Sequence, residues 1–147
     1  MVPPSEREII DTEQLRLLSI FHYVLGGMHV FFSCFLIIHF VLGLVMATAP
    51  HVLGERGGGP PTWFGLLMSL FAGCAMLAGW LVGGLTIYSG VCIKRRRYRT
   101  FSLVMAVLNC LSIPFGTALG IFTGIVLLRP SVMKLYAEQA LPSTAPV

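Results

Sequence analysis

Three long stretches of the chain carry no Asp, Glu, Lys or Arg. They lie between Arg16 and Glu55, between Arg56 and Lys94, and between Arg99 and Arg129. A helix that crosses a bilayer needs about 20 apolar residues, so each stretch is long enough for at least one crossing. The first predicts a helix from about Leu17 to Thr48, ended by Pro50, because proline cannot continue the hydrogen-bond ladder. The second predicts a helix from about Trp63 to Ile93. The third, Thr100 to Leu128, would be about 43 Å long as one helix. Its middle reads Ser112-Ile113-Pro114-Phe115-Gly116. Proline disfavours helix in the residue before it and suits the start of a new one.

Charge decides between one span and a hairpin. If the chain turns back near Pro114, then Arg7, Arg16, Lys94, Arg95, Arg96, Arg97, Arg99, Arg129 and Lys134 all fall on one side, out of 10 Lys and Arg in total. Only Arg56 then lies outside. A single span would carry Arg129 and Lys134 across. The positive-inside rule therefore predicts an all-α membrane protein of four transmembrane helices, the last two a short hairpin broken at Pro114, with both termini cytoplasmic. The hairpin arms would be only about 15 residues each, which requires a thinned bilayer or shielding by a partner.

The remaining segments are polar. Residues 1–14 form a cytoplasmic N-terminus in which Ser5 is a candidate cap of a short helix with Glu6 and Glu8 in its first turn, and from Thr12 the pattern can continue into the first span. Residues 15–130 form the bundle. Residues 131–147 comprise a short amphipathic helix, with Val132, Leu135 and Tyr136 expected on the membrane surface, and a disordered tail. The loop Gly57-Gly58-Gly59-Pro60-Pro61 lacks the Gly-Lys-Ser/Thr ending of a phosphate loop. With Glu6, Glu8, Asp11 and Glu13 ahead of the first apolar run, no cleaved signal sequence is expected.

Composition sharpens this picture. Hydrophobic residues make up 56% and charged residues 11%, against roughly 25% charged in soluble domains. A soluble fold of this size could not cover so much apolar surface. The net charge of +4 sits at the ends of apolar runs, as topology signals do, so no nucleic-acid partner is expected. Lys94, Arg95, Arg96, Arg97 and Arg99 are also placed to contact anionic lipid. Cys34, Cys74, Cys92 and Cys110 lie in or at the ends of apolar runs without a CxxC pair, as buried thiols do.

Candidate chemistry is sparse. Gly116, Gly120 and Gly124 form one small-residue ridge, and Ala75, Gly79 and Gly83 a second. In lipid, such ridges let helix backbones approach closely, within one chain or toward a partner. The first helix carries His22 and His29, seven apart and on one face, and His39 turned by about 80° from His29. Buried imidazoles can hydrogen-bond across a bundle, or His29 or His22 could ligate haem or a chlorophyll-type pigment. None of the three later spans offers a second histidine, so such ligation would be single or shared with another subunit. Asn109 is the one amide inside an apolar run, with Ser69, Ser112 or Thr117 as expected partners. There is no G-x-S-x-G, no H-E-x-x-H and no pair of intramembrane carboxylates, so no enzymatic activity is expected.

Two segments carry a family resemblance. Leu15-Arg16-Leu17-Leu18-Ser19-Ile20-Phe21-His22-Tyr23-Val24 resembles the start of a group of small bacterial four-helix membrane proteins without assigned function. Leu108-Asn109-Cys110-Leu111, Ile113 to Thr123 and Val126-Leu127-Leu128-Arg129-Pro130 are similar to the closing segment of that group. With the second apolar helix, the resemblance covers most of residues 14–136. It implies a bacterial inner-membrane location and a designed break at Pro114. It supplies no activity and no catalytic residues. The resulting expectation is an accessory or structural subunit that packs against a larger membrane complex or against itself. The alternatives are a pigment-binding subunit and a small oligomeric channel or transporter.

Overall fold

A computed structural model describes residues 6–52, 61–112 and 114–140. Ser5, Arg56, the glycine run and the tail from Leu141 lie outside the described residues, as does Ile113. Among the described residues there are five α-helices and no strand. They are α1 (Glu6–Thr48), α2 (Thr62–Lys94), α3 (Arg99–Asn109), α4 (Phe115–Leu127) and α5 (Pro130–Ala140), with one 3-10 turn at Pro50–Val52.

The helix α1 begins at Glu6, directly after the candidate cap Ser5, and runs for 43 residues, so the capped polar segment and the apolar span expected from Leu17 are one continuous helix. Its polar first turns therefore extend the apolar span instead of preceding it as a separate segment. Glu6 and Glu8 stand in the first turn, where carboxylates favour the helix dipole. Both α1 and α2 are long and apolar enough to cross a membrane. By contrast α3 and α4 have 11 and 13 residues, about 17 and 20 Å of helix.

The chain divides into two compact units. One is Gly27–Gly84, the facing halves of α1 and α2. Here the helices meet through glycine. A Cβ placed on Gly43 would lie 2.7 Å from the Ser69 nitrogen and 2.9 Å from the Gly65 oxygen. One placed on Gly65 would lie 2.7 Å from both the Ala47 nitrogen and the Gly43 oxygen. The two backbones touch where neither carries a side chain. Farther along, Gly79 faces Ser33 and Gly73 faces the Phe40 ring. The large side chains point the other way, with Phe31, Phe35, Leu70 and Phe71 all more than half exposed.

The second unit comprises the described residues of Met1–Gly26 and Leu85–Val147. It has a side-chain core of Leu15, Leu18, Leu25, Ile93, Leu119, Val126, Leu127, Val132 and Tyr136. Gly90 of α2 lies against α1, where an added Cβ would sit 3.0 Å from His22 Cβ, and the Ser19 hydroxyl donates to the Gly90 carbonyl at 2.8 Å. Val132 and Tyr136 correct an expectation. Val132 and Tyr136 of α5 are buried in one cluster with Leu15 and Leu18 of α1, while the third expected surface residue, Leu135, is half-buried.

Two turns shape the second unit. At the first, Arg97 N–H bonds to the Cys92 carbonyl and Arg96 N–H to the Ile93 carbonyl, the paired bonds of a Schellman ending. Arg96 takes the left-handed conformation that glycine usually supplies there, at φ 50°, and Tyr98 is left-handed as well, at φ 51°. At the second, the chain reverses between α3 and α4, Pro114 takes the N-cap position of α4, and the Thr117 hydroxyl donates to the Cys110 carbonyl at 2.8 Å. The expected interruption near Pro114 is thus a tight helical hairpin.

Candidate functional site

The sites proposed from sequence fall into three settings. The first is the small-residue ridges. On α4, Gly116 faces the Asn109 carbonyl and Gly120 faces the Ala106 carbonyl and Cys110 Sγ, so both lie against α3. Gly124 has nothing within 4 Å of its would-be Cβ. On α2, Gly79 meets Ser33, Gly83 is buried and Ala75 is half-buried. The crossing of α1 and α2 at Gly43 and Gly65 belongs to neither ridge. Spacing within one helix reveals a ridge, but a crossing pairs positions on two helices, and no spacing rule links residues 43 and 65.

The second setting is the buried polar interior. His22 is fully buried, and its Nδ1 donates to the Leu18 carbonyl at 2.9 Å. A carbonyl can only accept, so the proton sits on Nδ1 and Nε2 keeps its lone pair. That Nε2 is enclosed and has no hydrogen-bond partner among the described residues. A porphyrin iron needs an open approach to this nitrogen, and the packed surroundings of His22 leave none. His29 is half-buried and its carbonyl accepts from Ser33 at 2.6 Å, while His39 is exposed. The expected shared face of His22 and His29 thus covers two different environments. Asn109 is fully buried, and its Oδ1 accepts from Thr86 at 3.1 Å, a partner on α2 and not one of the three expected.

Around these lie further buried polar atoms without a partner among the described residues, namely Asp11 Oδ2, Ser89 Oγ, Ser102 Oγ, Asn109 Nδ2 and Tyr136 OH. Unpaired polar atoms are costly in apolar surroundings. Small hydroxyl residues inside an apolar run were the available signal for Thr86, Ser89 and Ser102. Their periodicity is indistinguishable from that of ordinary packing residues. Among the described residues no cluster of three or more His, Cys, Asp or Glu could hold a metal ion. All four cysteines are free, with Cys34 and Cys74 exposed and Cys92 buried.

The third setting is the cationic end. Arg129 Nη1 donates to Gln14 Oε1 at 2.8 Å and lies 3.6 Å from the buried carboxylate of Asp11. Arg96 Nη2 donates to Thr12 Oγ1 at 3.0 Å. Arg99 Nε donates to the Leu127 carbonyl at 2.9 Å, which caps the last turn of α4 with a positive charge. The basic run is therefore divided. Lys94, Arg95 and Arg97 are exposed, whereas Arg96 and Arg99 are half-buried and tie the turn to α1 and α4. Arg97 also stacks its guanidinium 5.7 Å from the Tyr98 ring centre.

Beside this turn, the α2–α3 connection and α5 enclose a groove of about 680 Å3. Comparison with family models, curated proteins and solved structures gives no match, so the geometry stands without a relative to interpret it.

Proposed function

We propose that this chain is a non-enzymatic membrane subunit that packs laterally against a larger membrane complex or against copies of itself. In this reading α1, α2, α3 and α4 cross the inner membrane of a bacterium, and both termini are cytoplasmic. The observation that carries it is how little of the long helices the chain itself covers. Only 17% of the most apolar window of α1, and the same share in α2, is buried. The outward side chains are large, with Phe71 at 76% exposure and Leu70 at 67%.

Two further features support the reading. The pairs Asp11 with Arg129, Arg96 with Thr12 and Arg99 with the Leu127 carbonyl tie the start of α1 to the ends of α2 and α4 and the start of α3, which fits a shared side for these helix ends. The arms α3 and α4, about 17 and 20 Å long, fall short of a hydrocarbon core of about 30 Å, and a lateral partner would shield what they do not span. Gly124, with open space beside it, is a point where a foreign backbone can approach. The bacterial location rests on the resemblance of the first and last apolar segments.

The test is photo-cross-linking in native membranes from Phe71 and from position 124, followed by purification in mild detergent. Adducts with one membrane partner or with a second copy are expected. A chain that runs alone and forms no adduct defeats the proposal. A second reading, histidine ligation of a tetrapyrrole, is favoured by the His22 tautomer, since ligating imidazoles hold Nδ1–H in a hydrogen bond. The enclosure of Nε2 opposes it. A visible absorption spectrum of pigment-replete protein decides that reading, and a featureless spectrum ends it.

A further inference from the structure

The groove between the α2–α3 turn and α5 is lined by three arginines, Arg96, Arg97 and Arg99, together with Tyr136 and Gln139. Among the described residues no carboxylate lines it. The carboxylates of this end, Glu8, Glu13 and Glu138, line a separate groove of about 420 Å3, which shares only Arg96 with the first. Two of the arginines are held in place by protein. Arg99 is fixed through Nε to the Leu127 carbonyl and Arg96 through Nη2 to Thr12, so their remaining N–H groups are pre-positioned donors.

Backbone donors add to this. The helix α3 starts at Arg99 behind Tyr98, and Tyr98 gives no side-chain cap. The first N–H groups of a helix have no partner within it and carry the positive end of its dipole, which suits an anion. An independent observation comes from α5. Tyr136 is more than nine-tenths buried, lines the groove, and its hydroxyl has no hydrogen-bond partner among the described residues. A buried phenol without an acceptor is expected to meet one in the functional state.

The geometry points to a binding site for the phosphate of an anionic phospholipid, held by Arg96, Arg97, Arg99, the start of α3 and the Tyr136 hydroxyl. Guanidinium groups suit phosphate oxygens because their paired N–H donors match them in plane. The lipid source follows from position. The turn begins where apolar α2 ends at Lys94, the depth at which a bilayer presents its headgroups. A volume of about 680 Å3 also matches small-molecule sites. This is more specific than attraction of a basic run to a negative surface, since Lys94 and Arg95 are not among the lining residues.

The inference rests on the membrane placement proposed above, and the experiment separates the two. Full-length protein is first shown to resist alkaline extraction from membranes; release at that step defeats the membrane reading itself. Protein purified in mild detergent and stripped of lipid is then titrated with phosphatidylglycerol, phosphatidylcholine or inorganic phosphate, with thermal stability and lipid-bound mass as readouts. Phosphatidylglycerol is expected to bind saturably and raise the melting temperature, and phosphatidylcholine to do neither. Arg97→Gln and Tyr136→Phe should each weaken binding about tenfold, the scale of a lost hydrogen bond to a charged group. Neither change removes a hydrogen bond given above, so both variants should fold. Lys94→Gln and Arg95→Gln remove the same charge and should leave binding within about twofold, as exposed charges do. Equal losses from Lys94→Gln and Arg97→Gln would overturn the site. Saturable binding of inorganic phosphate without preference for phosphatidylglycerol would overturn the lipid assignment.

Discussion

The two units of this chain are held together in opposite ways. In Gly27–Gly84, cohesion comes from what is missing. Gly43 and Gly65 leave the α1 and α2 backbones touching, and the large side chains face away. In the other unit, cohesion comes from what is present, a core of Leu, Ile and Val, a tethering hydroxyl at Ser19, and arginines bound to Gln14, Thr12 and a helix end. In the membrane placement proposed above, the contrast follows from the solvent. Lipid tails are as apolar as leucine, so apolar burial gains little between helices surrounded by lipid, and close backbone contact takes over. Near an aqueous end, apolar burial and charge pairing both regain their value.

The largest expected effect breaks the first unit. Gly65→Val would drive side-chain atoms into the backbone of α1 at Gly43 and Ala47, where only a rigid shift can make room. It should cost about 3 kcal/mol, measured as loss of stability in detergent unfolding. A smaller effect tests the second unit. Arg129→Met leaves the Asp11 carboxylate buried without its cation, at a cost of about 1–2 kcal/mol after allowing for the partial exposure of Arg129. The double variant with Asp11→Asn should recover part of that loss, because the stranded charge is then removed.

Two glycines one turn apart sharpen the contrast within a single helix. Gly120→Ala meets Cys110 Sγ at 2.5 Å and the Ala106 carbonyl, whereas Gly124→Ala meets nothing. The first should destabilise the hairpin by about 1–2 kcal/mol. The second should stabilise the isolated chain by up to about 1 kcal/mol through helix propensity, while reducing recovery of a lateral partner. The smallest effect is expected at Thr86→Val, where loss of the bond to Asn109 should cost about 0.6 kcal/mol, typical of hydrogen bonds between membrane helices. A cost above that of Arg129→Met would mean that the buried polar interior, and not the cationic end, organises this unit.

The charge-free runs, Pro50, Pro114 and the Lys94–Arg99 cluster sufficed to place the helix breaks, because backbone chemistry and the absence of charge are local properties. The same locality made the start of α1 legible, since Ser5 followed by Glu6 and Glu8 marks a helix start well ahead of the apolar run. The two small-residue ridges were readable as well, their members recurring every fourth residue along one helix.

Whether a small residue meets a neighbour was not readable. Gly116 and Gly120 lie against α3 while Gly124 of the same ridge stands open, and the Gly43–Gly65 crossing has no periodic signature. Likewise the apolar face of α5 was visible, but not that Leu15 and Leu18 would cover it, nor that Thr86 would answer Asn109. Spacing along one chain segment fixes which residues share a face. Only the folded arrangement fixes what that face meets, because contacts between helices depend on pairs of positions far apart in the chain, and in lipid those contacts are set by shape more than by hydrophobicity.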